Sequence, residues 1–181
     1  MRLLLVRHPR PEVAAGVCYG STDVPANADE TRRVHAALRE AGLPGALPVY
    51  ASPLRRCADL ARLLAGDKLT FDARLAEMDF GAWELRSWDD IGRDTVDAWN
   101  ADLLHYHPGG GESLLQVAHR VAAFRSTLHA SGQPEALVIC HAGTMRLLAA
   151  MQNSAALEEA ALQAASTPHR IAYGEMLVLK D

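Results

Sequence analysis

The chain has 181 residues, 49% of them hydrophobic and 22% charged, and a formal net charge of −4. That length suits one domain over residues 1–181, which buries roughly 70% of the surface its unfolded chain exposes; the small negative charge excludes a general attraction to nucleic acid or acidic membranes, and no stretch approaches the ~20 apolar residues of a spanning helix. Cys18, Cys57 and Cys140 contain no C-x-x-C pair and leave one thiol over in any disulfide scheme, and the apolar run at 3–6 is too short for a signal peptide, so a cytoplasmic protein is expected.

In chain order, LLLV at 3–6 is apolar at every position, the pattern of a parallel strand covered on both faces, and it ends on Arg7 and His8 before Pro9 and Pro11. A helix is expected over 30–41. A second strand at 48–51, PVYA, ends on Ser52 and PLRRC and leads into a helix over 54–64 with a stripe of Leu54, Ala58, Ala61 and Leu64. Another helix is expected over 87–105. PGGGES then opens a helix over 112–129 that carries Leu114, Val117, Val121, Phe124 and Leu128 on one side. A third strand at 136–140, ALVIC, ends on HAGTMR and precedes a helix over 143–163. A last strand over 171–179 alternates in its first half and reads as an edge strand. Strands alternating with helices predict an α/β fold, a three-layer αβα sandwich around a mostly parallel central sheet.

Three strands thus finish on reactive or charged side chains. Open α/β sheets place ligands beyond the carboxyl ends of their strands, so Arg7, His8, Arg55 or Arg56, and His141 are expected on one rim. Guanidiniums and imidazoles without a carboxylate cage form a receptacle for a phosphate group, and helices starting after Ser52 and His141 add backbone N–H donors. A neutral imidazole can attack phosphorus in line, and the departing alkoxide then needs a proton. Glu77, Asp79 and Glu84 in RLAEMDFGAWELRSWDDI are the candidate acids, among which composition does not choose.

The stretches LLLVRHPRP, YGSTDVP, YASPLRRC, LAEMDFGAWE and VICHAGTMR, in this order, resemble the histidine phosphatase (phosphoglycerate mutase-like) superfamily from residue 2 to about residue 150. GVCYGSTDVP and EMDFGAWELRSWDDI look most like its α-ribazole phosphatase branch, which acts late in cobalamin nucleotide-loop assembly. The resemblance implies a phosphoglycerate mutase-like fold and a phosphomonoesterase working through a phosphohistidine on a small-molecule phosphate ester. It implies His8 as nucleophile, Arg7 and Arg55 as phosphate ligands, His141 as stabiliser of the transferring group, and Glu77 as general acid and then base. No metal or organic cofactor is implied, and a homodimer is compatible with the sequence.

The sequence departs from the family where Pro9 replaces the usual Gly and removes a backbone donor. PEVAAG lacks a commonly found Asn, PAN stands for PLT, and HAG has one glycine rather than two. A phosphate ligand is therefore expected either to be missing or to be replaced by Arg10 or Ser21. Tyr19, Trp83 and Trp88 could stack on an aromatic leaving group, or equally fill core with Trp99.

Bland readings accompany these. Arg56 reads as a helix-surface partner, and His105 and His107 as a loop pair without a third metal ligand. GGG at 109–111 lacks the lysine and spacing of a P-loop and reads as a flexible turn beside the substrate. Two rivals remain: a cysteine-dependent phosphatase using Cys140 in CHAGTMR, which leaves Arg7, His8 and Arg55 unexplained, and a phosphate-binding module without turnover. Broad action on small-molecule or phosphoprotein esters is the alternative within the enzyme class.

Overall fold

In the computed structural model, which describes residues 1–45, 47–168 and 170–180, the strands β1 (Arg2–Arg7), β2 (Val49–Ala51), β3 (Leu69–Phe71), β4 (Glu135–Cys140) and β5 (Met176–Lys180) form one sheet in the order β3-β2-β4-β1-β5. Neighbours are parallel except β1 and β5, which run antiparallel. The chain leaves β1, forms β2 two places away, adds β3 outside it, and later returns to insert β4 between β2 and β1.

The apolar runs of β1 and β4 are two-sided because they face a helical layer on each side. Leu3 and Leu5 of β1, with Ala136, Val138 and Cys140 of β4, join α4 (Leu114–Ala130), α5 (Ala142–Ala150) and α6 (Leu157–Ser166) in one core. Leu4 and Val6, with Leu137 and Ile139, join α1 (Ala28–Glu40) and α2 (Arg55–Leu64) in the other. Each of these Leu, Ile and Val side chains is at most 1% exposed, so each contributes roughly 1.5–3 kcal/mol of burial. This is the expected αβα sandwich.

Local chemistry sets the helix starts. Asn27 accepts from the N–H groups of Asp29 and Glu30 at the head of α1, and Ser113 with Gln116 makes a reciprocal capping box at the head of α4.

Four expectations need correction. The helix expected over 87–105 is a 3-10 turn (Trp88–Asp90) and a short α3 (Arg93–Ala101), because Ile91 and Gly92 are extended and stop the first from running into the second. The helix over 143–163 is two helices, α5 and α6, separated by residues 151–156 where Asn153 and Ser154 fall. The last strand begins at Met176 rather than 171, since residues 171–175 turn to bond with Arg7. The edge strand β3 was not anticipated: it has three residues, none of them buried, and Phe71 is 42% exposed.

Candidate active site

The registry of the sheet brings the chemistry together. Arg7 lies beside Cys140 and Ala51 beside Ile139. Each parallel ladder extends one step further: His8 N donates to Cys140 O at 3.0 Å, and Ser52 N to Ile139 O at 3.0 Å. Ser52, His141 and His8 therefore emerge side by side from adjacent strand ends, and the two imidazole centroids are 5.0 Å apart.

His8 is 2% exposed. Its Nδ1 lies 2.7 Å from Pro9 O, which only accepts, so Nδ1 carries the proton and Nε2 holds the lone pair. Pro9 thus gives up an N–H but supplies the carbonyl that fixes the tautomer. Burial, the Arg56 guanidinium and, less strongly, Arg7 push the His8 pKa down to about 3 against the Pro9 hydrogen bond, so the ring is neutral near pH 7. Burial first, then His8, Arg56, Arg120 and Arg7, hold His141 well below the ordinary histidine range. His141 Nε2 lies 2.9 Å from Ser52 Oγ, while its buried Nδ1 has no partner.

The cation beside these rings is Arg56, which overturns its reading as a helix-surface residue. Arg56 is 0% exposed and donates to Thr22 O at 2.8 Å and Gly20 O at 2.6 Å, with its buried Nε unpartnered. Arg55 is exposed at the first position of α2, and its recorded bond is from its backbone N to Asp23 Oδ1 at 2.6 Å. One helical residue rotates a side chain by about 100°, enough to exchange interior for solvent. Arg7 donates to Ile171 O at 2.5 Å and stacks 3.9 Å from the ring centroid of Tyr173. Tyr173, which sequence reasoning missed, also lies 5.5 Å from His8 and 3.3 Å, hydroxyl to hydroxyl, from Tyr19.

The two expected substitute phosphate ligands stand in different surroundings. Ser21 gives both its N–H and its hydroxyl to Glu84, and Arg10 is exposed, 5.8 Å from the Tyr173 ring.

The three candidate acids separate by their surroundings. Glu84 accepts from Ser21 N and Oγ, Thr22 N and Oγ1, and Phe80 N; burial pushes its pKa up, but these donors outweigh it and hold it low. Asp79 accepts from Gly81 N at 2.7 Å. Glu77 accepts from the adjacent Met78 N–H, its one hydrogen bond among the described residues, and lies against the start of α5, where a Cβ on Gly143 would stand 2.6 Å from its Oε1.

A cavity of about 450 Å3 is lined by Arg7, Tyr19, Gly20, Glu77 and Gly143 at the end nearest these groups, and by Phe80, Trp88 and Trp99 elsewhere. Trp88 is 39% exposed and parallel to Trp99 within 8°, whereas Trp83 is 5% exposed and packs beneath both. The GGG turn is not a free loop: a Cβ on Gly111 would stand 2.2 Å from Asp79 O, so it packs backbone to backbone on the segment after Glu77. Cys140 is fully buried in the α4–α6 core, and burial, with Cys57 and Glu77, pushes its thiol well above the ordinary range, which removes the thiolate the rival mechanism needs. Among the described residues no group of three or more His, Cys, Asp or Glu could hold a metal ion, and no helix is long and apolar enough to cross a membrane.

The sequence profile of the histidine phosphatase superfamily (branch 1) matches residues 3–168. The adenosylcobalamin/α-ribazole phosphatase of Salmonella typhimurium is 30% identical over 167 residues, covering 83% of this chain and 78% of that protein. The crystal structure of the α-ribazole phosphatase from Shigella flexneri superposes with a TM-score of 0.81 at 26% identity, over 99% of this chain and 90% of that one. A mycobacterial glucosyl-3-phosphoglycerate phosphatase gives a TM-score of 0.75 at 26% identity, over 89% and 83%.

Proposed function

The chain belongs to the histidine phosphatase superfamily, and from that premise we propose that His8 is the nucleophile of a phosphomonoesterase working through a phosphohistidine. The observation that carries this reading is the His8 Nδ1 to Pro9 O hydrogen bond, which leaves a neutral Nε2 lone pair beside His141 and two guanidiniums.

The ester's phosphate binds between Arg7, Arg56 and His141, whose unpartnered Nε and Nδ1 atoms offer donors there. Ser52 Oγ donates to His141 Nε2 in this reading, so the His141 Nδ1–H is free for a phosphate oxygen. Nε2 of His8 attacks phosphorus as the ester P–O bond breaks, and Glu77 gives its proton to the departing alkoxide. The Glu77 carboxylate next takes a proton from water, the resulting hydroxide attacks the phosphorus, and the N–P bond breaks to release phosphate and restore His8. Arg56 takes the role that the sequence reading gave to Arg55.

The leaving group is proposed to be α-ribazole, from the relatives and from the aromatic wall of Phe80, Trp88 and Trp99, which fits a planar heteroaromatic ring. The test is hydrolysis of α-ribazole 5′-phosphate and a panel of other phosphomonoesters, in EDTA, by wild type and His8→Ala. Preference for the ribazole ester, lost with trapped phosphoenzyme in His8→Ala, supports both parts. Equal rates across the panel discard the substrate and keep the mechanism, and ester binding without turnover returns the phosphate-binding module.

A further inference from the structure

Arg120 lies on α4, outside every motif singled out in the sequence. Its side chain is 18% exposed, and its five N–H donors, the full complement of a guanidinium, are all used. Nη1 donates to Arg74 O at 2.8 Å and Ala76 O at 2.7 Å; Nη2 donates to Glu77 O at 3.2 Å and Glu112 Oε2 at 2.9 Å; Nε donates to Glu112 Oε1 at 2.8 Å. Glu112 carries the bracket past Glu77: its Oε2 accepts from Asp79 N at 3.0 Å, and its own N donates to Asp79 O at 2.8 Å. The backbone is thus gripped before, at and after Glu77, while among the described residues the Glu77 carboxylate itself has only the neighbouring Met78 N–H. The close approach of Gly111 to Asp79 O adds a backbone contact at the same joint.

Resting on the reading of Glu77 as the general acid, we propose that Arg120 and Glu112 are positioning residues that aim the Glu77 carboxyl at the leaving-group oxygen. A bidentate ion pair that merely tied α4 to the sheet would need one carbonyl; this one takes three consecutive-segment carbonyls and one N–H, all within three residues of Glu77. Lysine cannot replace the fork, having three donors around a point charge.

A positioned acid matters in proportion to how poorly the leaving group departs unaided. The test compares 4-nitrophenyl phosphate, whose phenolate leaves without a proton, with glycerol 3-phosphate, whose alkoxide does not, using wild type, Glu77→Gln, Arg120→Lys and Glu112→Gln. Misplacement of a catalytic group by about 1 Å costs on the order of 100-fold. Arg120→Lys and Glu112→Gln should therefore slow the alkyl ester about 10- to 100-fold, while the first-turnover burst of 4-nitrophenol keeps close to its wild-type rate and grows in amplitude as the base-assisted second step slows. Thermal melts establish that the variants are folded, and Glu112→Gln, which keeps the side-chain shape, serves if Arg120→Lys does not fold. An equal fall in the first-turnover rates of both esters, or no fall on either in a folded variant, overturns the proposal. If Glu77→Gln itself fails to separate the two esters, the acid role of Glu77 falls and the proposal with it, a result distinct from a split seen in Glu77→Gln alone, which overturns only the bracket.

Discussion

Acidification should destabilise this fold before any carboxylate is protonated, and His8 should account for a measurable share. Its pKa is about 3 in the folded chain against 6.5 ordinarily. Between those values the unfolded chain binds a proton that the folded chain refuses, so stability falls as the pH drops through 6.5 and the loss ends near 3. At pH 5.0 the unfolded chain is favoured by RT ln(1 + 10^1.5), about 2 kcal/mol for this group alone, from 1.36 kcal/mol per pKa unit. His141, also depressed, adds a loss of the same sign. Asp72, Glu84 and Glu112 are held low, so their contribution is in place above their ordinary values near 4 and is lost only as the pH falls through and below those values, under the pH 7.5–5.0 range of the test. Urea melts at pH 7.5, 6.5, 5.5 and 5.0 on wild type and His8→Asn give the test, since Asn keeps an N–H for Pro9 O and carries no titrating group. The wild type should lose about 2 kcal/mol more than the variant between pH 7.5 and 5.0. Parallel curves for the two proteins would refute the buried, neutral His8 and with it the poised nucleophile.

Arg56→Lys should lower kcat/KM for a phosphomonoester at least about 100-fold, the usual cost of removing a fixed donor to developing charge, whereas Arg55→Ala should leave it nearly unchanged; steady-state kinetics reverse the assignment if Arg55→Ala is the damaging change. Gly111→Ala drives a Cβ to 2.2 Å from Asp79 O, backbone against backbone, and should cost about 3 kcal/mol. Gly45→Ala, with its nearest atom at 3.6 Å, should stay within about 0.5 kcal/mol in the same denaturation assay. Glu84→Gln turns one acceptor oxygen toward donors as an NH2, costing about 2–3 kcal/mol. Because Gly20 and Thr22 carry the carbonyls that hold Arg56, it should raise KM, in contrast to the fall in kcat from Glu77→Gln; identical kinetic signatures for the two would contradict their separation into scaffold and acid.

Most of the scaffold was legible because burial on both faces writes itself into a strand as an unbroken apolar run, and 3–6 and 136–140 have such runs. The edge strand β3 carries no such signature, since none of its residues is buried, and helices over 87–105 and 143–163 were overextended because composition does not register an extended break of two residues at 91–92 or a turn at 151–156. The exchange of Arg55 for Arg56 was legible in hindsight. Arg55 heads the polar row Arg55, Asp59 and Arg62, and Arg56 heads the apolar row Arg56, Leu60 and Leu64, so helical periodicity alone assigns the second to the interior. Tyr173 had no comparable signal: its place over Arg7 arises from the turn before β5, a tertiary event. Glu77 was distinguishable from Glu84 only once the donors around each carboxylate were known, and Arg120 only once its three carbonyls were.

The late insertion of β4 between β1 and β2 has a consequence for folding. A chain made only as far as β3 has His8 just past β1 and Arg56 on α2 after β2, an empty slot between those two strands, two unpaired edges facing each other and no His141. Such edges invite pairing with other chains, and the slot is filled only by a strand from far along the sequence, the slow kind of contact. Full assembly of the phosphate pocket therefore waits on the insertion of a central strand whose partners lie far back in the sequence. Turnover in a refolding or nascent-chain experiment should appear only after that strand has entered the sheet, which makes enzymatic rate a clock for its insertion.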